Sequence, residues 1–76
     1  MFGLFYYHTT REETTFIAGI HSENLSELKE LSQKIFYNEN NAYWEIWEQD
    51  EEGMWGNCGD PIECSPNSGF YHFIYK

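Results

Sequence analysis

One segment of this chain carries apolar residues at the spacing of a helix, and it limits the folds that the chain can adopt. The apolar positions of the segment are Leu25, Leu28, Leu31, Ile35 and Phe36. They recur every three or four residues, so they form one stripe along a helix that we predict over residues 23 to about 36. Because the chain has only 76 residues, we expect a single domain, residues 1–76, with a small core.

The segments on either side of this helix are rich in aromatic and β-branched residues, which favour strands. We predict strands over residues 2–9, 14–21 and 42–49, a short returning strand from Met54, and a final strand over residues 70–75. The stretch 56–69 holds three Gly and both Pro residues, which indicates a long irregular loop. The sequence therefore predicts an α+β domain in β-β-α-β-(β)-β order, with one amphipathic helix packed on a mostly antiparallel sheet of four or five strands.

The predicted strands have aromatic or apolar side chains on both faces, although there is only one helix to cover them. In the third strand Trp44 and Ile46 share one face, whereas Tyr43, Glu45 and Trp47 share the other. We expect the first face to pack on the helix. The second face would be covered by the predicted loop, by a second copy of the chain, or by another protein, since Tyr and Trp are enriched in protein interfaces.

The acidic residues are concentrated in one part of the chain. Thirteen acidic residues against four basic ones give a net charge of -9. That balance excludes binding to a nucleic-acid backbone, which needs Lys and Arg, and disfavours docking on an anionic membrane. Eight of the acidic residues, none of the basic ones and all three Trp residues fall within residues 38–66.

An acidic hairpin beside Trp residues is suited to a basic protein surface, because opposite charges speed association. Nucleic-acid-binding clefts are the commonest large basic surfaces in a cell. Small acidic inhibitors of nucleases, restriction systems or CRISPR effectors dock there in place of DNA or RNA, and the likeness to them lies in size, charge and aromatic content. We therefore expect a non-catalytic inhibitor or adaptor of this kind, from a phage or mobile element. The expected contact residues are Tyr43, Glu45, Trp47, Glu48, Asp50, Glu51, Glu52 and Trp55.

Two alternatives to a docking surface follow from the same residues. Asp and Glu are common at exposed turns, so the acidic residues of the hairpin can simply keep its tip solvated. The aromatic face can also serve a structural module that assembles into a homodimer or a larger oligomer.

No pattern in the sequence indicates catalysis. Five residues separate Cys58 from Cys64, which is longer than the usual spacing of a zinc pair, and a zinc site needs a second pair. A disulfide between them is geometrically easy, but the absence of a signal peptide predicts a cytoplasmic protein with reduced thiols. Beside Asp60 and Glu63 a reactive thiolate is disfavoured. We expect no catalytic residue, metal or cofactor.

Overall fold

The described part of the chain forms a four-stranded antiparallel sheet with a helix on one face. The computed structural model describes residues 1–9, 12–35, 41–55 and 59–75. The elements in these residues are β1 (Phe2–Thr9), β2 (Thr14–Ser22), α1 (Leu25–Ile35), β3 (Ala42–Glu48), β4 (Glu63–Cys64) and α2 (Tyr71–Ile74). The strands lie in the order β2-β1-β3-β4, and α1 packs across β1, β2 and β3. The predicted α+β class is confirmed.

The first strand is central and pairs along its whole length. Phe5, for example, lies opposite Gly19 of β2 and Glu45 of β3. Since β2 and β3 are both antiparallel to β1, they run parallel to each other, and α1 is the crossover that joins them.

A bulge in β2 changes which of its residues share a face. Tyr6 pairs with Ala18 but Tyr7 pairs with Phe16, so β2 contains one extra residue at this point. The shift places Phe16 on the same face as Gly19. Gly19 is a point of close packing, because a Cβ on Gly19 would lie 3.2 Å from the Phe16 ring.

Asn24 caps the start of the helix. Its side chain accepts a hydrogen bond from the backbone N–H of Glu27 at 3.3 Å. The Ser22 hydroxyl accepts a hydrogen bond from the backbone N–H of Asn24. The predicted helical position Phe36 lies outside the described residues.

The core lies between α1 and the sheet. Leu28 projects from the middle of the helical stripe and is fully buried, as are Leu4 of β1 and Ile46 of β3. The buried core cluster consists of Leu4, Tyr6, Leu28, Ala42, Trp44 and Ile46. The predicted contact between the helix and the Trp44 and Ile46 face is therefore confirmed.

The prediction of a strand over residues 70–75 is wrong. Residues Tyr71–Ile74 form the short helix α2, in which the rings of Tyr71 and Tyr75 lie 4.6 Å apart. The strand next to β3 is instead β4, which lies inside the stretch predicted as an irregular loop and pairs Cys64 with Glu45. The returning strand predicted from Met54 is a single bridge between Gln49 and Trp55. No helix in the described part of the chain has the length and apolar character needed to cross a membrane.

Candidate functional site

The sheet face opposite α1 is lined almost entirely with aromatic side chains, and we call it the aromatic face. Three of its residues come from the edge strand β2. The others come from β1, from β3 and from the turn that follows β3. The aromatic face consists of Phe5, Tyr7, Phe16, His21, Tyr43, Glu45, Trp47 and Trp55, together with Gly3 and Gly19. Five of its rings, those of Phe5, Tyr7, Tyr43, Trp47 and Trp55, are half-buried.

Aromatic pairs across the strands hold the far end of this face together. Tyr7 of β1 lies directly opposite Tyr43 of β3, and their rings stack with centroids 5.1 Å apart. Phe16 packs edge-on against Tyr7 from the other side at 5.7 Å. Such pairs stabilise a sheet by about 0.2–1 kcal/mol each. Phe16 is nevertheless 54% exposed, so the face ends in an accessible ring at the edge strand.

A tight turn after β3 brings Trp55 onto the aromatic face. The Asp50 carboxylate accepts hydrogen bonds from the backbone N–H groups of Glu52 and Met54, both at 2.9 Å. Gly53 has a φ of 83°, which favours glycine because it has no Cβ. The turn reverses the chain and forms the bridge between Gln49 and Trp55.

The Trp55 ring rests in a space left by a glycine of β1. A Cβ on Gly3 would lie 3.0 Å from the Trp55 ring and 2.9 Å from that of Phe5. The absence of a side chain there lets Trp55 contact Phe5 edge-on at 5.2 Å and His21 at 5.0 Å. Gly3 therefore determines where Trp55 lies.

A single carboxylate, Glu45, lies among these rings. Its side chain is only 7% exposed. One of its oxygens accepts a hydrogen bond from Trp47 Nε1 at 3.1 Å, and the other accepts from the Ser68 hydroxyl at 2.9 Å. Burying an ionised group is costly unless hydrogen bonds compensate it, and these two bonds supply that compensation. Phe70 packs edge-on against Trp47 at 5.4 Å and covers this corner of the face.

A pocket of about 280 Å³ opens on the aromatic face. It is lined by Phe5, Tyr7, Glu45, Trp47 and Trp55. Four rings and one carboxylate give the pocket a lining that is partly apolar and carries a negative charge. The charge also affects two neighbouring hydroxyls. Burial raises the pKa of Tyr7 and of Tyr43 above 10.0, and the Glu45 carboxylate is the second cause of the increase. Both hydroxyls therefore stay neutral at physiological pH.

The predicted contact residues divide into three groups. Tyr43, Glu45, Trp47 and Trp55 share the aromatic face. Glu51 and Glu52 are exposed at the tip of the turn beside Trp55.

The other two predicted residues, Glu48 and Asp50, are not on this face. Glu48 falls on the opposite face by the alternation of β3, and Asp50 uses its carboxylate within the turn. Sequence reasoning missed Phe5 and Tyr7, although their shared parity in β1 was a signal. It also missed Ser68, for which the sequence offers no signal, because its contact with Glu45 depends on the path of the loop.

The described residues offer no metal site. No three His, Cys, Asp or Glu side chains among them converge closely enough to hold a metal ion. Cys64 carries a free, buried thiol whose pKa is raised mainly by burial, and Cys58 lies outside the described residues.

The fold and this site define a small α+β module that presents an aromatic, negatively charged pocket on its open sheet face. Neither a protein family model, nor a curated protein, nor a solved structure matches the chain.

Proposed function

We propose that this protein is a non-catalytic binding module, acting as an inhibitor or adaptor, that docks on a basic surface of a protein partner. The aromatic face and the exposed tip of the neighbouring turn would form the contact. A nucleic-acid-binding protein is the favoured partner, since such proteins carry the largest basic surfaces. We place this activity in the cytoplasm, in keeping with the free thiol of Cys64.

The observation that carries the proposal is that the aromatic face is only partly covered. Trp55, Ser68 and Phe70 lie over its margins, yet its central rings stay half-buried. Trp and Tyr that lie in such a position are typical of the energetic centre of an interface, surrounded by polar residues. Here that surround is acidic, with Glu51 and Glu52 exposed at the turn.

The charge of the chain supports a basic partner in particular. The net charge is -9, and an ion pair joins Lys29 of α1 to Glu63 at 3.7 Å. Both groups are partly exposed, so this pair contributes little to stability. The negative field at the turn would speed encounter with a positive surface and would set its orientation.

The test is capture of partners from the native host with the wild-type chain and with a charge-reversed variant, Glu51→Lys with Glu52→Lys. Their carboxylates are exposed, so the fold should be retained. We expect the variant to associate with the captured partner at least about threefold more slowly than the wild type at low salt. Raised salt should slow association of the wild type toward the same rate.

A matched control reverses Glu12 and Glu13, which are also exposed but lie at the opposite end of the sheet. That variant changes the net charge by the same amount, and we expect it to retain the partner. Capture that neither the turn variant nor salt changes would refute the proposal.

A second candidate function is assembly of the chain with itself through the aromatic face. The observation in its favour is the exposed ring of Phe16 on the edge strand β2. Sedimentation would then show a dimer that Trp47→Ala disrupts. A monomer at high protein concentration would exclude this candidate.

A further inference from the structure

We propose that the pocket on the aromatic face binds the cationic end of one lysine or arginine side chain from a protein partner. This inference rests on the proposed function and specifies how the partner would be held. Its basis is the combination of four aromatic rings with one buried carboxylate around a single opening.

The lining of the pocket has the chemistry that binds organic cations. A cation is attracted to the face of an aromatic ring when it lies within about 6 Å of the ring centroid, with Trp the strongest partner. Trp47 and Trp55 both line the pocket, with Phe5 and Tyr7. The alkyl stem of a lysine or arginine side chain would pack against the same rings while its charged end stays near the carboxylate.

Glu45 supplies a negative charge that no described basic residue neutralises. Lys29 and Lys34 lie on α1, which packs on the other face of the sheet. A carboxylate has about four lone-pair positions for hydrogen bonds, and the Trp47 and Ser68 bonds occupy two of them. Glu45 is thus held in place by two donors and can still accept a bond from a cationic group.

The pocket has room for the end of one side chain. Its volume is about 280 Å³. Pockets for drug-sized molecules span about 300–1,000 Å³. A single basic side chain projecting from a docked protein therefore fits, and the exposed Glu51 and Glu52 nearby would meet further basic residues of the same partner.

The experiment measures binding of small probes by NMR titration and uses no partner protein. The probes are the N-methylamides of Nα-acetyl-lysine and Nα-acetyl-arginine. Nα-acetyl-norleucine N-methylamide is the control, because it has the same four-carbon chain as lysine without the charge. We expect at least one cationic probe to bind about fivefold or more tightly than the norleucine probe, as cation–π attraction adds to the carboxylate charge.

Two variants that each remove one negative charge show which carboxylate contributes to binding of the cationic probe. Glu45→Gln should weaken binding of the cationic probe by about fivefold or more, whereas Glu51→Gln should change it less than about twofold, since an exposed charge is screened. Equal losses in both variants would overturn the proposal. If Glu45→Gln fails to fold, the wild-type comparison decides, and norleucine binding within about twofold of both cationic probes would overturn it.

The outcome separates this inference from the proposed function. Binding of the cationic probes without capture of any basic protein would support the cation pocket and refute the docking function. Salt-sensitive capture with no preference for the cationic probes would support the docking function and refute the cation pocket.

Discussion

The two faces of one sheet differ in how they are covered. On one face a whole helix closes over the core, and Leu4, Leu28 and Ile46 are at most 1% exposed. On the other face single residues from turns and loops lie over aromatic rings, and those rings stay half-buried around an open pocket. The same three strands supply both surfaces, because alternate residues of a strand point to opposite sides.

Under the proposed function, the two faces have different roles. Aliphatic side chains that are removed from water contribute most to the stability of a small domain. Aromatic rings that remain partly exposed contribute less to folding, but they are available to a partner. We therefore expect substitutions on the helix side to change the free energy of unfolding, and substitutions on the aromatic face to change binding more than stability.

The largest loss of stability should come from a substitution in the core between α1 and the sheet. Leu28→Ala removes a fully buried side chain from the centre of the core, so we expect it to lower the free energy of unfolding by about 2–5 kcal/mol. Urea unfolding followed by circular dichroism measures this loss. The matched change on the aromatic face is Phe16→Ala, at a ring that is 54% exposed. We expect it to lower the free energy of unfolding by about 1 kcal/mol. Equal losses would contradict the division of roles.

A smaller effect should follow from displacing Trp55. A Cβ on Gly3 would lie 2.9 Å from the Phe5 ring and 3.0 Å from the Trp55 ring. Gly3→Ala should therefore push the rings apart, lower the free energy of unfolding by about 1–3 kcal/mol and shift the indole NMR signal of Trp55. Gly69→Ala is the control, because nothing lies within 4 Å of that position. An unchanged Trp55 signal in the Gly3 variant would contradict the close contact between Gly3 and the Trp55 ring.

The turn that carries the exposed acidic tip gives a further test. Asp50→Ala removes an acceptor shared by two backbone N–H groups, so we expect a loss of about 1 kcal/mol in the free energy of unfolding. Glu51→Ala removes a more exposed carboxylate from the tip of the same turn, and it should change stability by less than about 0.5 kcal/mol. Chemical denaturation of both variants distinguishes a structural carboxylate from a solvated one. Similar values for the two would contradict this distinction.

The smallest effect should appear in the pH dependence of stability. Burial, and then Glu45, raise the pKa of Tyr7 and Tyr43 above 10.0 in the folded chain. As the pH rises past 10, the unfolded chain releases these protons first, so their contribution to stability is complete below that pH and declines above it. Denaturation between pH 8 and pH 11 measures the decline. The double variant Tyr7→Phe with Tyr43→Phe should decline less steeply, and an identical slope would contradict the assignment.

Much of the fold follows from local patterns in the sequence. The spacing of Leu25, Leu28 and Leu31 predicts α1, and the alternation in β3 predicts which of its faces meets the helix. The same alternation places Glu48 on the helix side, so its exclusion from the aromatic face could also have been predicted. These features depend on neighbouring residues alone.

Other features depend on contacts that the sequence does not specify. The apolar run at 70–75 suits a strand by propensity, but strand propensity reflects the available neighbours, and β4 already occupies the edge of β3. The pocket depends on register, which sets Phe5 beside Glu45. Ser68 reaches Glu45 across 23 residues of chain, a contact that only the tertiary structure determines.

The three Trp residues provide the most direct test of the difference between the faces. Trp44 lies in the core under α1, whereas Trp47 and Trp55 line the pocket on the aromatic face. We would record the indole N–H signals of all three during titration with Nα-acetyl-lysine N-methylamide. The structure leads us to expect that the Trp47 and Trp55 signals shift together while the Trp44 signal stays in place. A shift of Trp44 as large as the other two, or no shift of Trp47 and Trp55 with either the lysine or the arginine probe, would contradict the assignment of recognition to the aromatic face.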